Sequence, residues 1–510
     1  MKILLAYQSG AANRKDPYIN LLPTGLCYLH ATLLEAGYDS LLANFSAWPP
    51  RAINAELALF KPDMIGISQW THNRHTSMEL AAHCRRLFPH AVIVMGGGHA
   101  TFCHKEILFS GSPVDVVIRG EAETTLLELT ERASDRARWP DIPGIAFLHD
   151  TDIIETSQRT PLAELDRLPL PARYLNISIG VDLELQSEFI VTTRGCPSAC
   201  HFCSSPAFWG RKVRFRSPHS IVEEIAYIRQ KFGVIYFSIR DDTFTADRAR
   251  VMEFCSLLMQ QPPILWNCQS RVTAIDEELI IAMKRAGCEC IQLGVESGAP
   301  RILQQLGKKI VPTQIERACS LIRQIGISLS IYLISDIPGE TSEDIQQTLN
   351  LVQKLHADDG YVSPLAYYPG TQLFQQAVAS GEISADIFSG SRDSARYAKD
   401  RPHASARLLR VISQSRQDQP ERFARQKEQL GYCFTTNVIA SESYRQNGDY
   451  KAAEQELLEI AAQQPDNPWG WFLRGELYRE LGKRSKAAKC FETVLKLVPQ
   501  HGPSKAALTQ

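Results

Sequence analysis

Three cysteines crowd into eight residues of this sequence. Cys196, Cys200 and Cys203 lie within RGCPSACHFC (194–203) and are spaced C-x3-C-x2-C. Thiolates are soft ligands that suit iron–sulfur clusters and zinc. Structural zinc sites usually take four ligands from two paired knuckles, but no second C-x2-C occurs and His201, between two cysteines, is an awkward fourth ligand. The trio therefore favours a 4Fe–4S cluster with one iron open to a substrate or cosubstrate, and zinc is the alternative.

Composition excludes several other kinds of protein. The chain has 510 residues, which is enough for about three to four domains, and 55 basic side chains balance 56 acidic ones. This balance argues against a general polyanion binder, and no specific nucleic-acid signal occurs. Thirteen cysteines are too few for a disulfide scaffold. No apolar run approaches the ~18 residues of a membrane span and MKILLAYQSG indicates a strand rather than a signal peptide, so we expect a cytoplasmic protein.

The cysteine trio follows the first of six predicted strand–helix units. Apolar strands alternate with amphipathic helices over 188–372, which predicts a partial or full parallel β/α barrel. The strands are predicted at 189–193, 234–239, 264–270, 290–295, 328–334 and 361–367, and the helices at 219–231, 247–260, 276–286, 312–325 and 342–355. Chemistry in a barrel lies just past the carboxyl ends of its strands. Besides the trio, those ends carry Asp241, Asp242, Arg271, Glu296, Ser297, Asp336, Pro338 and Gly339. One of the two adjacent aspartates is alternatively a helix cap.

Residues 1–140 also alternate strands with helices. Predicted strands at 2–7, 39–46, 63–70, 90–97 and 115–120 indicate an α/β domain with a doubly wound parallel sheet. Ligands of such sheets bind outside the carboxyl ends of the strands. Those ends carry Ser68, Gly97, Gly98, His99, Gly120 and Glu121. Glycines let the backbone approach a bulky ligand closely, although tight turns in an unliganded sheet explain them equally well.

The last part of the chain repeats itself. Tyr444 matches Tyr478, Gly448 matches Gly482 and Pro465 matches Pro499, each at an offset of 34 residues. This is the period of tetratricopeptide repeats, so 433–510 is predicted to be all-α, and an ordinary helical bundle is the alternative. Repeats of this kind present extended binding surfaces, so we expect the tail to recruit a protein or peptide partner. Of the remaining segments, 141–187 is a predicted connector and 373–432 a predicted helical linker.

The cysteine loop, with Phe202 before its last cysteine, resembles the radical S-adenosylmethionine (SAM) superfamily over 188–372. The resemblance implies that the open iron binds SAM and that an electron from a flavodoxin- or ferredoxin-type protein cleaves it to a 5′-deoxyadenosyl radical. LGVESG (293–298) resembles the segment that contacts SAM, which implies that Glu296 and Ser297 lie near its ribose and amino groups. DIPGET (336–341) resembles the loop beside the adenine, which places Pro338 and Gly339 there. Ser335 and Asp336 depart from the family, which commonly has a glycine at this point.

The N-terminal domain resembles the flavodoxin-like cobalamin-binding domain of one large branch of this superfamily. The matching segments are PTGLCYL (23–29), GISQWTHN (66–73), GGGHAT (96–101) and RGEAET (119–124). The resemblance implies that the corrin is bordered by Ser68, Gly97, Gly98, His99, Gly120 and Glu121. No D-x-H-x-x-G motif occurs, so we expect no histidine ligand on the lower face of cobalamin, with His99 as the alternative.

These resemblances imply an enzyme with three cofactors, a 4Fe–4S cluster, SAM and cobalamin. The first hypothesis is a methyltransferase that acts on an unactivated carbon. The second keeps the same cofactors for an oxidative cyclisation or a rearrangement. The third is a cobalamin- or redox-sensing scaffold, which predicts that the reduced protein does not cleave SAM. Neither the substrate nor a catalytic residue beyond the cofactor ligands is predicted.

Overall fold

The computed structural model describes residues 1–9, 16, 18–391, 394–397, 404–415 and 421–509. The chain forms two compact units. The first unit comprises 1–186, 195–214 and 366–399, and the second comprises 187–194, 215–365 and 400–510. The cysteine loop therefore belongs to the same unit as the N-terminal sheet, whereas the strand that leads into the loop belongs to the second unit.

An eight-stranded sheet forms the centre of the first unit. Its strands are β1 (Lys2–Tyr7), β2 (Asp39–Asn44), β3 (Met64–Ser68), β4 (Val92–Gly96), β5 (Val116–Ile118), β6 (Ile145–His149), β7 (Asp152–Glu155) and β8 (Ser178–Ile179). The order is β7-β6-β5-β4-β3-β1-β2-β8, with β6 and β7 antiparallel and the other strands parallel. The order of β1–β5 is that of a flavodoxin-like doubly wound sheet, as predicted. The predicted connector, 141–187, contributes β6, β7 and β8 to this sheet.

Helices cover the sheet of the first unit. They are α1 (Thr24–Glu35), α2 (Pro50–Phe60), α3 (Arg74–Leu87), α4 (Gly98–Ile107) and α5 (Glu123–Glu131), and the short helices Ser205–Trp209 and Gln372–Ala379 also belong to this unit. The strand interiors, such as Leu4, Ile65 and Ile93, are fully buried in the core. All five predicted strands are present, and four are two or three residues shorter than predicted because their polar and glycine ends form the turns.

The second unit is built on an open parallel sheet of six strands. The strands are β9 (Phe189–Ile190), β10 (Tyr236–Ile239), β11 (Leu265–Ser270), β12 (Cys288–Glu296), β13 (Ser328–Ser335) and β14 (Asp359–Pro364), and they pair in sequence order. The connecting helices are α6 (Pro218–Phe232), α7 (Arg248–Leu258), α8 (Glu277–Arg285), α9 (Pro300–Gln305), α10 (Pro312–Ile325) and α11 (Ser342–Leu355). The predicted alternation is therefore confirmed, as a partial rather than a closed barrel.

Local sequence signals set the ends of these helices. Ser217, Asp276 and Thr341 each accept a hydrogen bond from a backbone N–H in the first turn of α6, α8 and α11, which satisfies a donor that the helix leaves free. Gly233 and Gly326 end α6 and α10 with positive φ angles of 74° and 91°, which a side chain would disfavour.

The C-terminal helices pack on the second sheet. They are α12 (Ser405–Ser415), α13 (Glu421–Leu430), α14 (Phe434–Gln446), α15 (Tyr450–Gln463), α16 (Pro468–Glu480), α17 (Arg484–Leu497) and α18 (Gly502–Thr509). The pairs α14–α15 and α16–α17 form the two predicted repeats. Phe434 on α14 and Trp469 on α16 share one buried cluster with Ile235 and Leu265, at the amino-terminal ends of β10 and β11. No helix in the described part of the chain is long and apolar enough to cross a membrane.

Candidate functional site

The cysteine loop lies in the first unit and carries the three clustered cysteines. Cys196 is buried, Cys200 and Cys203 are half-buried, and none of them forms a disulfide. Within the loop, the Cys203 amide donates to the carbonyl of Cys200 at 3.3 Å and the Cys196 amide donates to the carbonyl of Gly210 at 3.4 Å. Three thiols on one short loop, one buried and two half-buried, are a donor set that suits an iron–sulfur cluster.

Two further contacts of the first unit hold this loop. A Cβ at Gly195 would lie 2.6 Å from the carbonyl oxygen of Lys212, so the loop closes on itself only with glycine at this position. Arg214, at the end of the loop, forms a buried ion pair with Glu121 and donates to the carbonyl of Leu162 at 2.8 Å. Glu121, which the sequence analysis assigns to the corrin, is therefore engaged in anchoring the loop.

The strand that leads into the loop is held by Asp241, in the second unit. The carboxylate is almost fully buried and accepts hydrogen bonds from the amides of Thr192 and Thr193 at 2.6 and 3.0 Å, and from the Thr192 hydroxyl. Arg250 donates to the Thr192 hydroxyl at 2.6 Å from the other side. Burial raises the pKa of Asp241, while Arg250 and the hydrogen bonds from Thr192 and Thr193 oppose the shift. The helix cap expected of this aspartate or its neighbour is supplied instead by Asp247, which accepts from the Arg250 amide.

Glu296 ends β12 and Ser297 follows it, at the carboxyl edge of the second sheet. Glu296 has a positive φ of 65°, and Lys308 Nζ lies 2.9 Å from its Oε1. A non-glycine residue in this conformation is uncommon and such residues cluster at functional sites, which supports the prediction for Glu296. The Ser297 hydroxyl, in contrast, is fully buried, lies 3.1 Å from Thr348 Oγ1 and accepts from the Ala299 amide. It holds the loop together and does not face an open surface.

Pro338 and Gly339 lie in the loop after β13, at the same edge. Gly339 has a positive φ of 70°, and a Cβ there would meet nothing within 4 Å, so this backbone borders open space. The Pro338 carbonyl accepts a hydrogen bond from Gln305 at 2.8 Å. Asp336, the departure from the family, also has a positive φ and receives a bond from the Ser335 hydroxyl at 2.8 Å. Glu296 and Asp336, two of the five non-glycine residues with positive φ in the described part of the chain, thus lie at the carboxyl ends of neighbouring strands.

Gly97 and Gly98 form a cradle at the carboxyl edge of the first sheet. A Cβ at Gly97, whose φ is 109°, would lie 2.5 Å from the Gln69 carbonyl oxygen. A Cβ at Gly98 would lie 3.2 Å from the ring of Trp70, a residue that the sequence analysis missed and that is 41% exposed. The turns after β3 and β4 therefore cross at van der Waals distance, and only glycines allow this. The crossing lies at the carboxyl edge of the sheet, where ligands of doubly wound sheets bind.

His99 and the remaining predicted corrin residues surround this cradle. His99 is buried, its Nδ1 lies 3.2 Å from Thr71 Oγ1, and its ring packs edge-on against Phe388. Burial lowers the pKa of His99 to about 3, so its imidazole is neutral. Gly120 has a positive φ of 79° and its amide donates to Thr101 at 3.0 Å, and Ser68 is buried at the end of β3. His99 is thus held from two sides inside the first unit.

Comparisons with known proteins identify the parts. The radical SAM superfamily matches residues 190–352, the B12 binding domain matches 18–130 and the tetratricopeptide repeat matches 468–501. An uncharacterized methyltransferase of Pyrococcus horikoshii is 29% identical over 370 residues, which cover 70% of this chain and 79% of the relative. The anaerobic magnesium-protoporphyrin IX monomethyl ester cyclase of Rubrivivax gelatinosus is 27% identical over 383 residues, 72% of this chain and 68% of the relative.

A solved structure has the same fold. The radical SAM methyltransferase TsrM from Kitasatospora setae, with tryptophan and the SAM analogue aza-SAM bound, superimposes with a TM-score of 0.64 at 20% identity, over 74% of this chain and 76% of that chain. Fold and sequence together define a radical SAM enzyme with an N-terminal B12 domain. This chain belongs to the B12-binding radical SAM proteins that carry a C-terminal tetratricopeptide repeat.

The cofactors of this family are a 4Fe–4S cluster, SAM and cobalamin. The residues of this chain fit two of them by their own chemistry. The three clustered thiols match the ligand set of a cluster with an open iron, and the glycines Gly97 and Gly98 keep side chains out of the crossing at the sheet edge, where a Cβ would meet Gln69 or Trp70. For SAM, the open backbone at Gly339 and the carboxylate of Glu296 lie on loops after neighbouring strands of one sheet.

Proposed function

We propose that this protein is a cobalamin-dependent radical SAM methyltransferase that methylates an unactivated carbon. The observation that carries the proposal is the combination, in one chain, of the three-cysteine loop with the glycine crossing of a B12 domain. The similarity to the methyltransferase of Pyrococcus horikoshii, which extends over 70% of the chain, supports methyl transfer as the outcome. When bound, the cluster and SAM supply a 5′-deoxyadenosyl radical and cobalamin supplies the methyl group.

The residues of this chain bind and orient these groups. Cys196, Cys200 and Cys203 hold the cluster and leave its fourth iron to SAM. Glu296, paired with Lys308, is placed to accept hydrogen bonds from the polar groups of SAM. The open backbone at Gly339 is suited to pack against the adenine. Gly97 and Gly98 allow the backbone to approach the corrin.

An oxidative cyclase is the second candidate, because the cyclase of Rubrivivax gelatinosus is nearly as similar as the methyltransferase and covers a comparable part of the chain. The two outcomes differ in product mass. Methyl transfer adds one methylene unit to the substrate, whereas oxidative cyclisation removes hydrogens. A sensing scaffold predicts no cleavage of SAM at all.

The experiment is an anaerobic reconstitution followed by a reaction with SAM that carries a deuterated methyl group. We expect 5′-deoxyadenosine and S-adenosylhomocysteine together, since a radical and a methyl group are both consumed, and a product that contains the deuterated methyl. A flavodoxin- or ferredoxin-type protein should replace a chemical reductant. A dehydrogenated product without the label would favour the cyclase, and absence of both SAM products would contradict an enzyme.

A further inference from the structure

The two faces of the second sheet differ in chemistry. Trp266 on β11 packs edge-on against Phe244 and against Phe254 of α7, each at 5.5 Å, so this side of the strand faces the helices. Successive side chains of a strand point to opposite faces. The helix-facing set is apolar and fully buried, and it includes Phe237, Ile239, Trp266, Cys268, Ile291, Leu293, Leu329, Ile331 and Leu333. The face opposite the helices, here called the open face, carries the intervening residues.

The open face is lined by hydrogen-bonding side chains. The strand register aligns Ser238 with Asn267 and Cys290, then Gln269 with Gln292, Ser330 and Asp359, then Tyr332 with Tyr361. Several of these residues bond to one another: Ser238 donates to Asn267 at 2.8 Å, and Tyr332 donates to Gln292 at 2.9 Å. No Leu, Ile or Val occurs in these three rows. A surface of this kind satisfies a polar ligand and leaves an apolar one without contacts, because buried polar groups need partners.

Arg240 is the cation at the carboxyl end of this face. It follows β10, one step beyond the pairing of Ile239 with Cys268, and its guanidinium carbon lies over the ring of Phe189, 4.6 Å from the centroid. The side chain is exposed and forms no ion pair with a carboxylate among the residues that the structure describes. A guanidinium that contacts an aromatic ring through its face can still donate from the N–H groups at its edge to a carboxylate or a phosphate.

Tyr332 lies within electrostatic range of this cation. Burial raises the pKa of Tyr332, whereas the positive charge of Arg240 lowers it and Asp359 raises it. The phenol that bonds to Gln292 therefore sits between the cationic and the anionic end of the open face.

We propose that the substrate is a compact polar molecule with a carboxylate or a phosphate monoester, which Arg240 binds by its charge and which Gln269, Gln292 and Tyr332 orient by hydrogen bonds. A lipid or a flat apolar macrocycle does not fit this face, because it would bury the amides and the phenols without partners. This inference rests on the proposed function, since it takes the open face to be where the reacting carbon is held.

The test uses the reconstituted holoenzyme, SAM with a deuterated methyl group and a small-molecule extract of the source cells. The extract is divided into a fraction retained on an anion-exchange resin, an unretained aqueous fraction and a chloroform-soluble fraction. We expect the retained fraction to stimulate 5′-deoxyadenosine formation by about tenfold, because a bound substrate completes the site. Stimulation by another fraction, or none by the retained one, would overturn the proposal. Loss of stimulation after alkaline phosphatase would identify a phosphate, and persistence a carboxylate.

Two variants assign the effect to the cation. Arg240→Gln should raise the amount of retained fraction needed for half-maximal stimulation by about tenfold or more, and Arg240→Lys should restore part of the loss. Arg248→Gln, an exposed arginine paired with Asp276, is the matched control and should behave like the wild type. Wild-type behaviour of Arg240→Gln would overturn the proposal. Stimulation without deuterated methyl in the product would contradict the proposed methyl transfer but not the substrate class. Deuterated methyl in a chloroform-soluble product would contradict the substrate class but not methyl transfer.

Discussion

Among single residues, Asp241 has the largest expected effect on the start of the cysteine loop. Its carboxylate accepts hydrogen bonds from the amides of Thr192 and Thr193, which lie four and three residues before the first cysteine. The Thr192 hydroxyl bonds to both Asp241 and Arg250. Asparagine would keep one acceptor but would remove the negative charge. The buried Arg250 would then lose the negative charge of Asp241, which is costly.

The prediction is that Asp241→Asn lowers the free energy of unfolding by about 3 kcal/mol and reduces the iron bound per chain. Denaturant unfolding and iron analysis measure the two effects, and the EPR spectrum of the reduced cluster should change because the strand that leads into the loop is no longer held in the same way. Asp276→Ala, which removes the cap of α8, is the control: it should cost about 1 kcal/mol without changing the spectrum. Full iron content and an unchanged spectrum in Asp241→Asn would contradict this positioning role.

Glu340, in the loop after β13, gives a pH-dependent prediction. Burial, together with the charges of Asp336 and Asp344, raises the pKa of Glu340 from 4.5 to about 7. Between these values the folded protein holds a proton that the unfolded chain releases, so stability falls as the pH rises through this window and is level above it. Glu340→Gln removes the fall. Its melting temperature should match the wild type at pH 4 and exceed it by about 2 °C at pH 8, and a pH-independent difference would refute the assignment.

Some of these residue roles were not predictable from the sequence. The spacing of the cysteines is local, so it indicated the cluster loop directly. Other roles depend on contacts between segments that are distant in sequence. These are the burial of Ser297, the ion pair between Glu121 and Arg214, and the hydrogen bond from Thr192 to Asp241. The only sequence signal for Asp241 was its place after a strand, which it shares with Asp242.

At the scale of elements, the crossing of the turns after β3 and β4 shapes the B12 edge. Gly97→Ala would place a methyl group 2.5 Å from the Gln69 carbonyl oxygen in a backbone conformation that side chains avoid. We expect a loss of about 2–4 kcal/mol in stability and a lower corrinoid content per chain. Gly111→Ala is the matched control, because its φ of 84° imposes similar strain but nothing lies near the added carbon. Equal corrinoid content in both variants would contradict the cradle.

The tail packs against the second sheet through the helices α14 and α16. Trp469 packs edge-on against Tyr236 at 6.4 Å and covers the starts of β10 and β11. Trp469→Ala should therefore cost about 3–5 kcal/mol and weaken the sheet as well as the tail. Trp471→Ala, on the half-exposed side of the same helix, should cost about 1 kcal/mol, and equal costs in denaturant unfolding would refute the packing argument.

The same packing bears on the predicted recruitment of a partner. The surface of α14 and α16 that holds Phe434 and Trp469 is filled by the chain's own strands, so we propose that a partner binds the helices α15 and α17. Deleting 433–510 would uncover Ile235 and Leu265 and should impair SAM cleavage along with partner capture. Selective loss of capture in a pull-down, with cleavage intact, would contradict this view of the tail.

For the whole molecule, element order was predictable and side-chain placement was not. Apolar runs and helix periodicity indicated eleven strands that the structure contains, because burial on both faces of a parallel sheet leaves a strong local pattern. The polar open face of the second sheet was not predicted, because polar residues within a strand can be assigned to a common face only when the strand register is known. The assignment of segments to two units also depends on contacts between distant parts of the chain.

The central claim is that one chain holds both an iron–sulfur cluster with an open iron and a corrinoid. The most direct measurement is quantification of iron, sulfide, corrinoid and zinc in anaerobically reconstituted protein, alongside the variant with all three loop cysteines replaced by alanine. We predict about four irons, four sulfides and one corrinoid per chain, with the iron and sulfide absent from the variant and the corrinoid retained. Zinc in place of iron, or the same iron content in the variant, would contradict the account.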